Sequence, residues 1–262
     1  MTVYADVYRY RELFGNLFRR DFQAKYKGSA LGILWSLLNP LILLGVYFLV
    51  FGLLIKNGTT RHYPIYLLAG LACWIFFSVS LQSAARSMVD SADLIKKVKF
   101  PRQLVAFSMV AAQAVTFVVM TAILIVLSLI FIPEARSTVW LAVPLGVLFA
   151  GFVAGFALLL ATLNVLYRDV EHILTAALLP WFFLTPVIWD PSRFAGSHPK
   201  LVELLRWGNP VTPPIMAFRD ALWSAHGPRA ADVVYLVVAC VVALVLAAWV
   251  FRRADDQIAV EL

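Results

Sequence analysis

Long apolar runs without a single charge restrict most strongly how this chain can fold. The runs Leu104–Ile132 and Thr138–Leu163 contain no Asp, Glu, Lys or Arg, and about 20 apolar residues suffice for a helix to cross a bilayer. Hydrophobic residues make up 62% of the 262-residue chain and charged residues only 14%, which is too little polar surface for a soluble domain. The sequence therefore predicts an all-α integral membrane protein.

Six transmembrane helices are predicted from the positions of the apolar runs. They cover Ile33–Ile55, Tyr63–Leu81, Leu104–Ile132, Thr138–Leu163, Ile173–Trp189 and Val233–Phe251. An even number of spans puts both termini on one side, and that side holds 14 lysines and arginines against 8 on the other. Because positive charge favours the cytoplasmic side, we expect cytoplasmic termini and one transmembrane domain over residues 29–262. The net charge of +7 lies mostly in loops that flank the spans, so it does not indicate nucleic-acid binding.

Residues 1–28 are predicted to form a cytoplasmic amphipathic helix at the membrane interface. Between residues 4 and 27 one helical face carries Tyr10, Phe14, Leu17, Phe18 and Phe22. The opposite face carries Arg9, Glu12, Asn16, Arg19, Arg20, Gln23 and Lys27. A helix with this pattern lies at the bilayer surface with its cations toward anionic headgroups.

The outer segment 190–232 is too long and too apolar for an ordinary loop. Two short helices are predicted in it, Leu201–Trp207 and Pro214–Trp223, with Asn209 and Pro210 between them. Neither is long enough to span a bilayer, so we expect a re-entrant helical hairpin on the outer side; a pair of helices lying flat on the surface is the alternative. The fifth span, directly before this segment, contains Pro180 and Pro186, which bend or end a helix.

No motif for catalysis, nucleotide binding or metal binding is present. The chain lacks a P-loop, an H-E-x-x-H helix, a paired-cysteine motif and a G-x-S-x-G elbow, and its four histidines are scattered. Its spans carry almost no ionisable side chains, which proton- and ion-coupled transporters place within the membrane. We therefore expect a transport subunit without enzymatic activity, metal or cofactor of its own, driven by an energy source outside the chain.

The loop 86–103 is the place where such a source is expected to act. Its segment from Asp90 to Asp93 favours the start of a helix, and Pro101 ends that helix before the third span. Three apolar residues, Leu94, Ile95 and Val98, are predicted to share one face of this helix, beside Lys96, Lys97 and Lys99. A short helix of this kind fits a groove on another protein, and a plain positive-inside topology signal explains the charges equally well.

Five segments, in order along nearly the whole chain, match one known group of proteins. They are Tyr26–Gly32 leading into Trp35 and Pro40, Leu94–Arg102, the loop Asn164–Asp169 with Asn164, Arg168 and Asp169, Thr185–Trp189, and the outer-hairpin pair Asn209 and Pro210. They resemble the permease subunits of bacterial ATP-binding-cassette exporters of O-antigen, capsule, teichoic acid or galactan.

The resemblance implies a homodimer that binds two copies of a separate ATP-binding subunit, which holds ATP and Mg. The coupling helix of the permease would seat in that subunit through Asp93, Leu94, Ile95, Lys96, Lys97 and Val98. The implied substrate is a polysaccharide linked to polyprenyl diphosphate, moved from the cytoplasm across the bacterial inner membrane through a channel between the two permease copies.

The resemblance also suggests where that substrate is contacted. Arg19, Arg20, Lys25 and Lys27 are candidates for the lipid diphosphate, although ordinary anionic lipids explain these cations equally well. Candidate channel aromatics are Trp74, Phe76, Phe77, Trp181, Phe182 and Phe183, because polysaccharide stacks on aromatic faces; packing against lipid or protein is the alternative for each.

Two other functions remain open. An exporter of a small drug or lipid in the same superfamily has the same general sequence pattern, although the aromatic content and the segment around residues 26–40 favour a polymer. A membrane-embedded glycan transferase would need acidic or histidine side chains clustered at one membrane face, and only Asp169, Glu171 and His172 are available.

Overall fold

The computed structural model describes residues 3–28, 32, 34–50, 62–98, 100–194, 196–224 and 226–261. Every regular element within these ranges is a helix, as predicted. The first half holds α1 (Ala5–Arg9), α2 (Arg11–Tyr26), α3 (Leu34–Tyr47), α4 (Tyr63–Asp90), α5 (Ala92–Lys97) and α6 (Gln103–Phe131). After two 3-10 turns, Pro133–Ser137 and Val139–Leu141, come α7 (Ala142–Leu166), α8 (Asp169–Leu184), α9 (Pro191–Phe194), α10 (Pro199–Trp207), α11 (Thr212–Trp223) and α12 (Ala230–Glu261).

Four helical stretches in the described part of the chain are long and apolar enough to cross a membrane. They are Tyr63–Asp90, Gln103–Phe131, Val139–Leu166 and Ala230–Asp255, and they correspond to the second, third, fourth and sixth predicted spans. α4 has 28 residues, which at about 1.5 Å per residue exceeds the hydrocarbon thickness of about 30 Å. Its end therefore extends beyond the hydrocarbon core, next to α5.

The first and fifth predicted spans differ from these four. α3 ends at Tyr47 and is followed by a π-helical turn to Val50; Ile33 and residues 51–55 of the predicted first span lie outside the described residues. α8 has 16 residues, about 24 Å of helix, which is less than the hydrocarbon thickness. The fifth prediction was wrong at its end, because the helix stops at Leu184 rather than Trp189: Pro186 disfavours helical backbone in the residue before it.

α4 is the central helix of the fold. In its most apolar stretch 83% of the residues are buried, against 22% for α6 and for α12. It contacts α3, α6, α7, α8 and α11, and Phe77 and Leu81 at its middle are fully buried. α6 and α12 therefore present broad apolar faces outward, as helices do that border lipid.

Two glycines allow α7 and α12 to pack closely. A Cβ atom on Gly155 would lie 2.7 Å from the backbone carbonyl carbon of Ala243, and one on Gly151 would lie 2.9 Å from Cys240 Sγ. The two glycines are four positions apart, the small-xxx-small spacing that lets membrane helices approach. This feature was not part of the sequence-based expectations, since the spacing alone does not name the partner helix.

The amphipathic segment is two helices rather than one. The chain leaves helical geometry at Tyr10 (φ −106°, ψ 33°), between α1 and α2. Leu17 of α2 packs on Leu104 and Val105 at the start of α6, and Lys25, two turns later, donates to Gln113 of α6. Residues later in α2 contact residues later in α6, so α2 runs parallel to the first turns of α6.

Candidate functional site

A helix is present in the loop where a coupling helix is predicted, but it is short. α5 covers Ala92–Lys97, starts after Ser91 and ends where Val98 becomes extended (φ −129°, ψ 130°). The prediction of a helix in the loop 86–103 is confirmed, with a length of 6 residues; Lys99 lies outside the described residues.

The apolar residues of this helix do not share an exposed face, which corrects the prediction for Leu94, Ile95 and Val98. Ile95 is 9% exposed and belongs to the main core, whereas Val98 is 50% exposed. Leu94 is half-buried and packs against the cluster of Leu17 and its neighbours. Leu94 and Ile95 hold α5 to the bundle because each finds an apolar partner inside the chain. The exposed side chains of α5 and its end are Asp93, Lys96, Lys97 and Val98.

A buried carboxylate connects α2 to α6. Ser108 Oγ donates to Asp21 Oδ2 at 2.6 Å, and Arg20 Nε donates to Asp21 Oδ1 at 2.8 Å. Arg20 Nη2 also lies 3.5 Å from Ser91 Oγ, directly before α5. Asp21 lies four residues after Leu17, on the apolar side of α2, and it was not among the residues singled out from the sequence.

The first residues of α6 make two further polar contacts. Gln103 Nε2 donates to the Val3 carbonyl at 3.2 Å and to Asp6 Oδ2 at 2.9 Å, which joins α6 to α1. Arg102 Nη1 lies 3.1 Å from Asp255 Oδ1, which joins α6 to the end of α12. The start of α6 is therefore a meeting point for the N-terminal helices, α5 and the last helix.

Asn164, in the last turn of α7, joins this helix to two others. Its Nδ2 donates to the Ala85 carbonyl of α4 at 3.0 Å, and its Oδ1 accepts from the Glu171 backbone N–H of α8 at 2.9 Å. The Glu171 carboxylate pairs with Arg86. Arg168 and Asp169 of the same motif are exposed, so the structure gives Asn164 a structural position and leaves the charged pair at the surface.

Of the four cations predicted to meet a lipid diphosphate, Lys25 enters a defined cavity. Its Nζ donates to Gln113 Oε1 at 2.6 Å and to Thr116 Oγ1 at 3.2 Å. These groups border a cavity of about 200 Å³ that also includes Trp35. Arg19 and Lys27 are exposed, and Arg20 is held by Asp21, so the four do not converge on one point.

The predicted channel aromatics are mostly packed inside the chain. Phe76 stacks on Phe117 with centroids 4.7 Å apart. Rings within about 6 Å of Phe77 are those of Trp74, Phe152, Phe156 and Trp181. Trp74 and Phe182 border a cavity of about 360 Å³ between α3, α4 and α8, beside Ser78, Gln82 and Thr175. Phe183 is 52% exposed. The structure therefore gives Phe76 and Phe77 the packing role that was the alternative reading.

Asn209 holds the pair of helices α10 and α11 to α8. Its Oδ1 accepts from Trp181 Nε1 at 2.9 Å, and its Nδ2 donates to Thr185 Oγ1 at 2.9 Å. Asn209 Oδ1 also accepts the Val211 backbone N–H at 3.1 Å, just before α11. Pro210 continues the turn. Two helices are present here as predicted, with α10 largely exposed and α11 largely buried.

Two buried charged groups on this side were not foreseen. Arg219 of α11 is 2% exposed, and its Nη1 donates to the Pro186 carbonyl at 2.8 Å. Asp232, fully buried in the first turn of α12, pairs with Arg206 of α10 at 2.6 Å. Burial raises the pKa of Asp220 to about 6, against the opposing effect of Arg219. Sequence position alone places these residues in a loop between spans, where charges are usually solvated.

The chain is similar to known membrane transport proteins over most of its length. Residues 12–223 match the family described as ABC-2 type transporter. Over 257 residues the chain is 30% identical to the O-antigen export system permease protein RfbA of Myxococcus xanthus, covering 97% of this chain and 96% of the relative. Two proteins of the same name from Klebsiella pneumoniae are 27% and 26% identical over 202 and 206 residues, covering 77% of this chain and 76% of each relative. With its four membrane-length helices and a family match over well more than half its length, the chain belongs to the ABC-2 type transporter family.

Proposed function

We propose that this chain is the channel-forming subunit of an ATP-driven exporter that moves a polyprenyl-diphosphate-linked polysaccharide of the O-antigen type across the bacterial inner membrane. The observation that carries the proposal is the similarity over 97% of the chain to a permease named for O-antigen export. An exporter of a small drug or lipid is less well supported, because the three relatives share the O-antigen name.

The working assembly in this proposal is two copies of the chain with two ATP-binding subunits. The first and fifth predicted segments, which contain α3 and α8, complete six spans, and α10 with α11 form the re-entrant hairpin; both termini lie in the cytoplasm. Support comes from α8, whose Leu179, Phe183 and Leu184 are each more than half exposed. An apolar face on a helix too short to span alone is best covered by a second copy, with the channel between the copies.

The ATP-binding subunit meets the exposed side of α5 and α2 in this assembly. The exposed residues of α5 and its end are Asp93, Lys96, Lys97 and Val98. On α2, Arg19 is exposed as well. In this assembly the charged residues lie on the cytoplasmic side of the membrane, together with the rest of the loop 86–103. ATP and Mg are held by the partner, and this chain contributes the docking surface and the path for the substrate.

A glycan transferase is disfavoured by the contacts of its candidate residues Asp169, Glu171 and His172. The Glu171 carboxylate pairs with Arg86, and the Glu171 backbone is held by Asn164. Asp169 and His172 are exposed, and among the described residues no three His, Cys, Asp or Glu side chains form a group that could hold a metal ion.

Depletion of this chain in its source bacterium tests the proposal. We expect a polyprenyl-linked glycan to accumulate on the cytoplasmic side and the same glycan to disappear from the cell surface. Expression of the intact chain should restore both, whereas co-expression with an ATP-binding subunit that cannot hydrolyse ATP should not. Normal surface glycan without cytoplasmic accumulation in the depleted strain would refute the proposed substrate.

A further inference from the structure

Asp21 differs from the other charged residues of α2 because it is buried. Its side chain is 3% exposed, whereas that of the adjacent Arg20 is 44% exposed. Taking a carboxylate out of water is costly unless hydrogen bonds and an opposite charge compensate. Leu13 and Leu17 lie on the same face of α2 as Asp21. A leucine at position 21 would complete this apolar face without the cost of burying a charge. Removing one partner of such a buried contact is costly, so Asp21 favours the arrangement of helices in which its bonds are made.

The bonds of Asp21 connect three elements. Its Oδ2 accepts from Ser108 Oγ of α6 at 2.6 Å. Its Oδ1 is 2.8 Å from Arg20 Nη2, and that nitrogen also lies 3.5 Å from Ser91 Oγ, at the start of α5. Ser91 and Ser108 are both buried. The contacts therefore lead from the coupling helix through α2 into a membrane-length helix.

A small apolar cluster surrounds these polar contacts. Leu17 of α2 packs with Leu104 and Val105 of α6, apart from the main core. Leu94 of α5 and Phe100 before α6 lie against the same cluster. α2, α5 and the first turns of α6 are thus joined by apolar and polar contacts at one place, and helices held in this way move together rather than slide past each other.

From these contacts we infer that Asp21 is a positioning residue that makes α2, α5 and the cytoplasmic end of α6 move as one unit. A displacement of either surface helix then reaches α6 and, through it, the membrane-embedded part. The inference rests on the proposed function, since it takes an ATP-binding subunit to push on α2 and α5. Asp21 acts through Ser108 and Arg20 and contacts no substrate.

A chemical cross-link that replaces the hydrogen bond tests this role. The permease and its ATP-binding subunit are reconstituted together in liposomes. The permease carries Asp21→Cys and Ser108→Cys, and Cys73→Ala and Cys240→Ala remove its two native thiols. We expect the glycan exported per ATP hydrolysed to fall about tenfold while hydrolysis continues, a factor that corresponds to about 1.4 kcal/mol of coupling. A short bifunctional thiol reagent should restore most of the ratio. An unchanged ratio before cross-linking, or no recovery after complete cross-linking, would overturn the inference.

A second measurement needs neither ATP nor substrate. Spin labels at Gln23→Cys on α2 and Ala122→Cys on α6, both exposed sites, report the distance between these helices in the purified permease without its native thiols. We expect a narrow distance distribution that broadens with Asp21→Ala and stays narrow with Asp93→Ala, an exposed control. Equal widths in both variants would refute the positioning role. A wild-type transporter without ATP-dependent export would instead refute the proposed function, and these distances would still decide the role of Asp21.

Discussion

The guanidinium carbon of Arg219 lies 3.8 Å from the centroid of the Tyr66 ring. Both residues are almost fully buried, and each also bonds to the segment after α8: Arg219 to the Pro186 carbonyl at 2.8 Å and the Tyr66 hydroxyl to the Trp189 carbonyl at 2.9 Å. A cation over an aromatic face is attracted by the ring quadrupole, more strongly when water is excluded. This pair therefore joins α4, α11 and the end of α8 at one point.

Arg219→Ala is expected to lower the free energy of unfolding by about 3 kcal/mol, because it removes the ring contact and leaves the Pro186 carbonyl buried without its donor. Tyr66→Phe keeps the ring face and loses only the bond to Trp189, so it should cost about 1 kcal/mol. Thermal unfolding of the detergent-purified permease measures both. Equal losses in the two variants would contradict the role given to the ring contact.

Gly155→Ala should destabilise the contact between α7 and α12. The added methyl would lie 2.7 Å from the backbone of Ala243, so the helices have to separate, at a cost of about 1–3 kcal/mol. Gly45→Ala is the matched control, since a Cβ there meets nothing within 4 Å and alanine favours a helix over glycine. The midpoint of thermal unfolding should fall for the first variant and not for the second; a fall in both would argue against tight packing at Gly155.

The exposed and buried sides of α5 are expected to respond differently to substitution. Lys96→Glu with Lys97→Glu reverses charge on the exposed side, so binding of the ATP-binding subunit should weaken while the unfolding midpoint stays unchanged. Ile95→Ala removes a buried side chain and should cost about 2 kcal/mol of stability. Co-purification and thermal unfolding distinguish the two effects. Loss of stability in the lysine variant, or none in Ile95→Ala, would contradict the observed orientation of α5.

Asp220 should make the stability of the permease depend on pH. Its pKa in the folded chain is about 6, raised by burial from an ordinary value of 3.8, with Arg219, Asp232, Arg229 and Arg206 also acting on it. The folded state therefore binds its proton more tightly than the unfolded state does. Protonation of Asp220 therefore stabilises the folded state. This stabilisation is complete below about pH 4 and is lost as pH rises through about 6.

Asp220→Asn removes this titration. As pH rises from 5 to 8, the wild type loses the stabilisation from protonated Asp220 and the variant does not. The free energy of unfolding of the variant relative to the wild type should therefore rise by about 1–2 kcal/mol over this range, after allowance for partial solvation. Unfolding midpoints of both proteins across this pH range provide the test. A difference between the two proteins that does not change with pH would show that Asp220 does not titrate there.

Local features of the sequence predicted the helices well and their orientation less well. Apolar runs predicted α4, α6, α7 and α12, and Pro186 explains why α8 ends at Leu184. The outer pair around Asn209 was also predicted as two helices. The error at α5 has a different origin. The helix ends at Lys97, before Val98, and only the neighbouring helices decide which of its apolar residues turns inward.

In the candidate site, too, the sequence identified residues but did not predict their contacts. Asn164 and Asn209 were identified from short motifs, yet their bonds to Ala85 and Thr185 depend on how separate helices meet. Among the predicted aromatics, Phe77 and Phe183 have the same residue type and both lie in apolar helices. One is fully buried and the other half exposed, because their helices occupy different positions in the bundle.

The sequence by itself determined that this chain is a helical membrane protein with a charged loop between the apolar runs that form α4 and α6. Hydropathy and charge act over neighbouring residues, so they can be read along the chain. Only the tertiary structure decided that Asp21 bonds to Ser108, 87 positions away, that Arg219 lies over Tyr66, and that Ile95 faces inward. These contacts depend on which helices become neighbours, and that choice is made by close packing, as at Gly155, rather than by local composition.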